Sequence, residues 1–507
     1  MPDTSHHSDA LTRRIKSFAL LGGPILAFLT YFLLPDAYHN TSGELVTFSH
    51  AGKACLSVVV WMATWWFVEA IPIAATALLP IVLFPLLGVT TLAQATAPYA
   101  SDTIYLFLGG FLLAAGIQRW HLDRRIALYT IALVGTKPGQ MSAGVMIATA
   151  FLSMWVSNTA TAAMMVPIVL AILNVVRGER DRTDPHVLER EHNFSISLLL
   201  SLAYGASIGG MATVIGSPPN GIFVRFLAQN NGVEVSVLDW MVVGVPVMMA
   251  LLPITWFLLN RVLFRLQIKG LPGGKQWVTR EIELLGPMSR AEKVVGLVFL
   301  TAIALWIFSP QLRALSFDGV RPLAHLSDAV IAMGAGLLLF AWPVNFRHGV
   351  QTITWHDCKD IPWDVLILFG GGLSMAAAIQ NTGCAGLIGA QAVALAGLPE
   401  YLVVLGVAFL VIFATEITSN TALTAAMLPL LGAAAPVMGI RPEVVMLTTA
   451  VGASAAFMMP VATPPNAIIF GTGHIKIGEM IRAGFWLNII SVFVIGTMCY
   501  LLSDFMF

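Results

Sequence analysis

The stretch Asp102–Gln118, DTIYLFLGGFLLAAGIQ, returns 262 residues later as Asp364–Gln380, DVLILFGGGLSMAAAIQ. At the same offset Ser157-Asn158-Thr159-Ala160 meets Ser419-Asn420-Thr421-Ala422. A third pair, Gly216-Ser217-Pro218-Pro219-Asn220 and Ala462-Thr463-Pro464-Pro465-Asn466, is offset by 246 residues. The difference of 16 fits the longer charged loop RGERDRTDPHVLEREHN (177–193) of the first copy. Leu, Gly and Ala matches between apolar helices arise cheaply by chance; three motif pairs in one order do not. The chain is an internal duplication.

The medium around the repeat is a bilayer. Of the 507 residues, 57% are hydrophobic and 11% charged, against about 25% charged in ordinary soluble domains. So apolar a chain has too few polar groups to cover a water-facing surface. A spanning helix needs roughly 20 predominantly apolar residues. Eleven spans are expected, at 18–35, 53–69, 71–90, 103–118, 195–228, 240–263, 293–309, 326–342, 364–379, 443–474 and 483–503. The run at 18–34 lacks a small-residue cleavage site after it and reads as the first span. Two longer apolar stretches, 139–176 and 399–436, are each broken by a central polar cluster and read as re-entrant hairpins.

The distribution of basic residues tests this reading. With the N-terminus in the cytoplasm, 22 of the 27 Lys and Arg fall inside. Lys53, Arg225, Arg313, Arg321 and Arg441 fall outside. Counting either hairpin as a single crossing would invert everything after it and spoil the asymmetry. Five crossings separate the two copies, so the repeats have inverted topology. Inverted repeats with broken helices mark secondary transporters, with substrate and ion bound where the repeats meet.

The Ser-Asn-Thr clusters carry the chemistry. Unsatisfied polar groups in hydrocarbon cost several kcal/mol each, so non-helical backbone at that depth survives only inside protein or beside a cavity. A hairpin tip at mid-membrane exposes helix N-termini, which suit a carboxylate. Carbonyls of unwound backbone suit a hard cation such as Na⁺, and Asn158 and Asn420 can serve either, since an amide both donates and accepts. Packing glue is the structural alternative for one such cluster; two symmetric ones favour a site. A double proline within a span unwinds it and frees carbonyls, with the small residues Gly216 and Ala462 standing at the two breaks.

These paired SNT motifs, each followed by a PPN break, with EAIP (Glu69–Pro72) and TEITSNTA (Thr415–Ala422), resemble the divalent anion:sodium symporter family over residues 55–490. The resemblance implies an all-α integral membrane protein with scaffold and transport domains, elevator-type alternating access and a homodimer formed through the scaffold. The corresponding boundaries are a cytoplasmic tail 1–17; scaffold helices 18–137; a first transport segment 138–264, with hairpin 139–176 and broken helix 195–228; a cytoplasmic connection 265–292; scaffold helices 293–398; and a second transport segment 399–507, with hairpin 399–436 and broken helix 443–474. It implies one sodium near Ser153, Ser157, Asn158 and Gly216, and a second near Thr415, Thr418, Asn420 and Ala462. It places substrate carboxylates at Ser157, Asn158, Thr159, Ser419, Asn420 and Thr421, with Pro218, Pro464, Ser217 and Thr463 close by.

The expected activity is import of C4 dicarboxylates such as succinate, malate and fumarate by sodium symport, in the cell (inner) membrane, without an organic cofactor or nucleic acid. Neither hairpin contains Lys or Arg, so a dianion there needs bound cations to offset its charge. Sodium-independent exchange, or sodium-coupled citrate or sulfate transport on the same fold, is the runner-up. Glu416 is the only ionisable residue in the central polar cluster of either hairpin, and copy one has Met154 at the matching position; it reads as a carboxylate that fixes the hairpin, with proton or cation coupling as the other role. Gly205-Ala206-Ser207-Ile208-Gly209 matches G-x-S-x-G, but that hydrolase motif needs a strand–turn–helix setting. Inside a long apolar helix the same residues read as GxxxG packing. The four cysteines show no metal-ligand spacing.

Overall fold

The computed structural model describes residues 4–40, 44–177, 185–266, 274–316, 318, 320–345, 349–392 and 397–507. Arg180, Arg182, Lys269 and Arg347, all counted above on the inner side, lie outside the described residues. Eight described helices are long and apolar enough to cross a membrane. Their outer faces carry large apolar side chains: Phe18, Leu33 and Leu133 are 78%, 80% and 87% exposed. A water-facing exterior does not tolerate such a surface, whereas lipid does. Two small antiparallel ribbons, Ala37–His39 with Leu45–Thr47 and Pro343–Asn345 with Val350–Gln351, depart from the all-helical expectation.

Both copies use one element order. Asp102–Arg119 and Trp363–Asn381 open them, and each is followed by a short helix, Leu122–Val134 or Cys384–Ala392. Next comes a hairpin, Pro138–Ser153 with Asn158–Arg177 or Glu400–Ala414 with Asn420–Ala434. A broken helix closes each copy: Pro185–Gly210 then Pro218–Asn231, and Pro442–Ala453 then Pro464–Gly471. The copies also exchange packing. Pro464–Gly471 lies against Asn158–Arg177 and Pro185–Gly210, while Pro218–Asn231 lies against Asn420–Ala434. Each broken helix thus braces the other copy's hairpin.

Several spans differ from expectation. The expected span 71–90 is two short helices, Ile73–Thr76 and Leu79–Leu86, because Pro72, Pro80 and Pro85 interrupt the backbone ladder. The first helix begins at Thr4, so most of the expected tail 1–17 is helical. The short helices after Asp102–Arg119 and Trp363–Asn381, and Gly274–Leu285 in the connecting segment, lie outside the expected spans, because apolar runs of spanning length do not include them. Leu122, Leu128 and Ile131 anchor Leu122–Val134 by one buried face. Its other contacts are ionic: Arg124 meets Glu281 at 2.7 Å, and Arg125 meets Glu292 at 2.7 Å while donating to the carbonyls of Gly286 and Leu285.

Close backbone approach ties the first hairpin to the first broken helix. A Cβ on Gly205 would lie 2.8 Å from the Met146 carbonyl oxygen, and one on Gly209 would lie 2.2 Å from that of Ala150. The G-x-S-x-G stretch is therefore a helix-packing surface, with Ser207 fully buried inside Pro185–Gly210. A buried polar cluster adds to it: Asn260 donates to Ser142 (3.1 Å) and accepts from Ser197 (2.8 Å), while Ser142 and Ser201 share a 2.8 Å bond. Asn260 sits in the π-helical turn Leu258–Leu263.

Candidate functional site

Four half-helices start at one place. Ser157 and Ser419 cap the second limbs of the hairpins, accepting from the backbone N–H of Ala160 (3.4 Å) and Ala422 (3.5 Å). Pro218 and Pro464 open the second halves of the broken helices, where a missing N–H costs nothing. Residues 157–160, 215–219, 417–421 and 461–465 all line a single cavity of about 1520 Å³. The two Ser-Asn-Thr triplets therefore share one chamber. Thr159 and Pro464 are exposed to it; Ser157, Asn158, Pro218, Ser419 and Asn420 are half-buried.

Behind each tip the same bond recurs. Ser153 Oγ donates to Asn158 Oδ1 at 2.6 Å, and Thr415 Oγ1 donates to Asn420 Oδ1 at 2.5 Å. Thr415 also reaches the Ala453 carbonyl at 3.0 Å. Turned over, the Asn158 amide donates instead to the carbonyls of Ala206 (3.1 Å) and Gly216 (3.3 Å). Gly216 packs so tightly that an added Cβ would sit 2.7 Å from the Gly210 carbonyl and 3.0 Å from that of Ser153. Copy one's pocket is thus walled by hydroxyl, amide and carbonyl oxygens. In copy two, Thr418 Oγ1 is buried without a hydrogen-bond partner among the described residues. Neutral hard oxygens suit an alkali cation. Among the described residues no group of three or more His, Cys, Asp or Glu could hold a metal ion. The offsets pair Ser153 with Thr415, Asn158 with Asn420 and Gly216 with Ala462, but Ser157 with Ser419 and not with Thr418.

Two expected substrate contacts have partners within the protein. Ser217 is 2% exposed and shares a 2.9 Å bond with Ser454 of the other copy. Thr463 accepts from the backbone N–H of Asn466 at 3.4 Å. Glu416 is committed to structure: its carboxylate accepts from the backbone N–H groups of Phe457, Met458 and Met459 at 2.7–2.9 Å and from Asn488 at 2.7 Å. It binds the second hairpin to the second break. In copy one the carbonyl of Met154 accepts from the Thr213 hydroxyl, so the same junction is closed without a charge.

The same cavity is also lined by Lys16, Arg119 and Lys359, all counted on the cytoplasmic side, together with Glu69, Asp357 and Asp360. Lys16 lies 3.7 Å from Glu69, and Arg119 is paired with Asp357. Partial burial pushes the Asp357 carboxyl up, but hydrogen bonds from Thr354 and the Arg119 charge outweigh it and hold the group below the usual carboxylate range.

The family described as sodium:sulfate symporter transmembrane region matches residues 24–504. The chain belongs to this symporter family. It is similar to the sodium-dependent dicarboxylate transporter SdcS of Staphylococcus saprophyticus, 40% identical over 487 residues, covering 95% of this chain and 90% of that protein. It is 42% identical over 483 residues to SdcS of Staphylococcus aureus strain USA300, with the same coverage. Among solved structures, the YdaH transporter of Alcanivorax borkumensis, described as having an unusual topology, aligns with a TM-score of 0.58 at 14% identity over 97% of this chain and 98% of that one. That likeness is one of fold alone. Membership in the symporter family makes the chain a multi-pass membrane transporter and not an enzyme.

Sequence reading missed the Glu416 clamp's partners and the asparagines of the two PPN motifs. Asn220 and Asn466 are fully buried and donate across the breaks. The signal available was their presence at matching positions of both copies.

Proposed function

We propose that the chain imports C4 dicarboxylates (succinate, malate and fumarate) by sodium symport. The observation that carries this is the convergence of four half-helix starts on one cavity whose hairpin walls hold no Lys or Arg. The starts at Asn158 and Asn420 contribute N–H groups and partial positive charge, while those at Pro218 and Pro464, with no N–H at their first two positions, contribute partial charge alone; together these orient carboxylates but do not neutralise a dianion. The two symporter relatives named sodium-dependent dicarboxylate transporters support the same choice of ion and substrate.

Ser153, Ser157, Asn158 and Gly216 would hold one sodium, and Thr415, Thr418, Asn420 and Ala462 the other. Bound sodium supplies the countercharge for the substrate. The chain's own groups position the substrate: Ser157, Asn158 and Thr159 face one carboxylate, Ser419, Asn420 and Thr421 the other. Pro218, Pro464, Ser217 and Thr463 shape the floor between them. The arrangement fits eleven spans with two inverted repeats, an elevator-like transport domain (138–264 and 399–507) and a scaffold (18–137 and 293–398) that forms a homodimer. It fits a cytoplasmic N-terminus in the cell membrane. On that topology Lys16, Arg119 and Lys359, which line the cavity, lie toward the cytoplasm, the side of release.

The test is uptake of labelled succinate into proteoliposomes with and without a sodium gradient, against competing malate, fumarate, citrate and sulfate. Sodium-driven uptake competed by C4 dicarboxylates is expected, and Asn158→Ala and Asn420→Ala should each abolish most of it. Uptake that needs only internal dicarboxylate would establish exchange instead, a role for which Arg119 on the cavity wall is the candidate cation. Stronger competition by citrate or sulfate would reassign the substrate.

A further inference from the structure

We infer that Asn220 and Asn466 are positioning residues that hold the two unwound segments in the shape that receives cations, an inference that rests on the sodium reading above. Neither residue lines the cavity, and both side chains are fully buried. The Asn220 amide nitrogen donates to the Gly210 carbonyl at 3.0 Å and to the Thr213 carbonyl at 2.8 Å. The Asn466 amide nitrogen donates to the Ala456 carbonyl at 3.2 Å and to the Met459 carbonyl at 3.1 Å. Acceptors and donors alike are related by the 246-residue offset, so one device has been kept twice.

The geometry explains what the device does. Gly210 ends one half-helix and Asn220 lies in the first turn of the next. Two bonds from one amide close the intervening loop, and Gly216 lies within that closure. In copy two the same bonds close the loop that carries Ala462. Both donors of each amide are used, whereas neither Oδ1 has a hydrogen-bond partner among the described residues. The residue type is therefore matched to donation: a hydroxyl offers one donor and a carboxylate none. Fixing the loop before the ion arrives removes an ordering cost from ion binding. Loss of the clamp acts on sodium affinity and reaches the substrate only through sodium.

The experiment compares wild type with Asn220→Ala and Asn466→Ala in proteoliposomes. Two quantities are read: the sodium concentration for half-maximal succinate uptake at saturating succinate, and the succinate KM at saturating sodium. The expected result for each variant is a roughly tenfold rise in half-saturating sodium, in line with loss of a buried hydrogen-bonded pair, with succinate KM changed less than twofold. Asn220→Ser and Asn466→Ser keep one donor and should fall between wild type and Ala. They also carry the comparison if the Ala variants do not accumulate as folded protein. Folded variants with wild-type half-saturating sodium, or with succinate KM raised as much as the sodium requirement, overturn the inference. Wild-type uptake indifferent to sodium overturns the sodium reading itself and this inference with it, a result visible before any variant is made.

Discussion

Gly216→Ala gives the sharpest test of the first cation pocket. The new methyl would sit 2.7 Å from the Gly210 carbonyl oxygen, 3.0 Å from the Gly210 Cα and 3.0 Å from the Ser153 carbonyl oxygen. All three are backbone atoms, so no side chain can swing aside. Reaching an ordinary 3.4 Å contact with the nearest requires a retreat of about 0.7 Å. The atoms displaced are those that line the pocket, and the Asn220 clamp resists their movement. Overpacking a close-fitted site costs about 1–3 kcal/mol, and 1.4 kcal/mol is about tenfold in binding. The half-saturating sodium concentration for succinate uptake should therefore rise roughly five- to a hundredfold. Copy two supplies the control. Its break is longer, 454–463 against 211–217, and already accommodates the Ala462 methyl, so Ala462→Gly should shift sodium dependence by less than about threefold. The assay is a sodium titration in proteoliposomes, with monodispersity by size exclusion confirming a folded variant. A Gly216→Ala transporter with unchanged sodium dependence would refute the argument, as would equal damage from Ala462→Gly.

Three further outcomes follow from the packing. Glu416→Ala leaves three backbone N–H groups and the Asn488 amide without their acceptor; at about 1–3 kcal/mol for each buried orphan, thermal unfolding in detergent should occur many degrees lower, with Glu416→Gln intermediate because it retains one acceptor. A Gln variant of wild-type stability that has lost sodium dependence would instead mark Glu416 as part of the coupling machinery. Arg125→Ala strands Glu292 in a pair whose side chains are 8% and 9% exposed, a loss of about 3–5 kcal/mol seen in the same melt; replacing both residues with Met should recover most of it. Ser207→Ala removes a buried hydroxyl that has no hydrogen-bond partner among the described residues, so uptake and melting should stay at wild-type values, and a loss of transport would show that the hydroxyl has a role the packing does not reveal.

Sequence alone marked the duplication, the bilayer as solvent, the polar Ser-Asn-Thr interruptions of two apolar stretches and the two breaks. Each leaves a one-dimensional mark: a recurring motif, an apolar run of given length, or a proline pair that no helix absorbs. It also singled out Ser157, Asn158, Ser419 and Asn420 as candidates, because the same polar cluster recurs in the middle of an apolar stretch in both copies. The fates of Glu416, Ser217 and Asn220 were settled only by tertiary structure. Whether a carboxylate couples an ion or braces a loop depends on which N–H groups surround it, and those of Phe457–Met459 come from 41–43 residues away. Ser217 meets Ser454 across 237 residues. The amphipathic helix Leu122–Val134 and its ion pairs were equally invisible, since a short helix of mixed polarity acquires its meaning from the neighbours that cover its faces. Local pattern fixes where backbone must bend in a membrane; long-range packing decides which of the exposed polar groups remain available to a ligand.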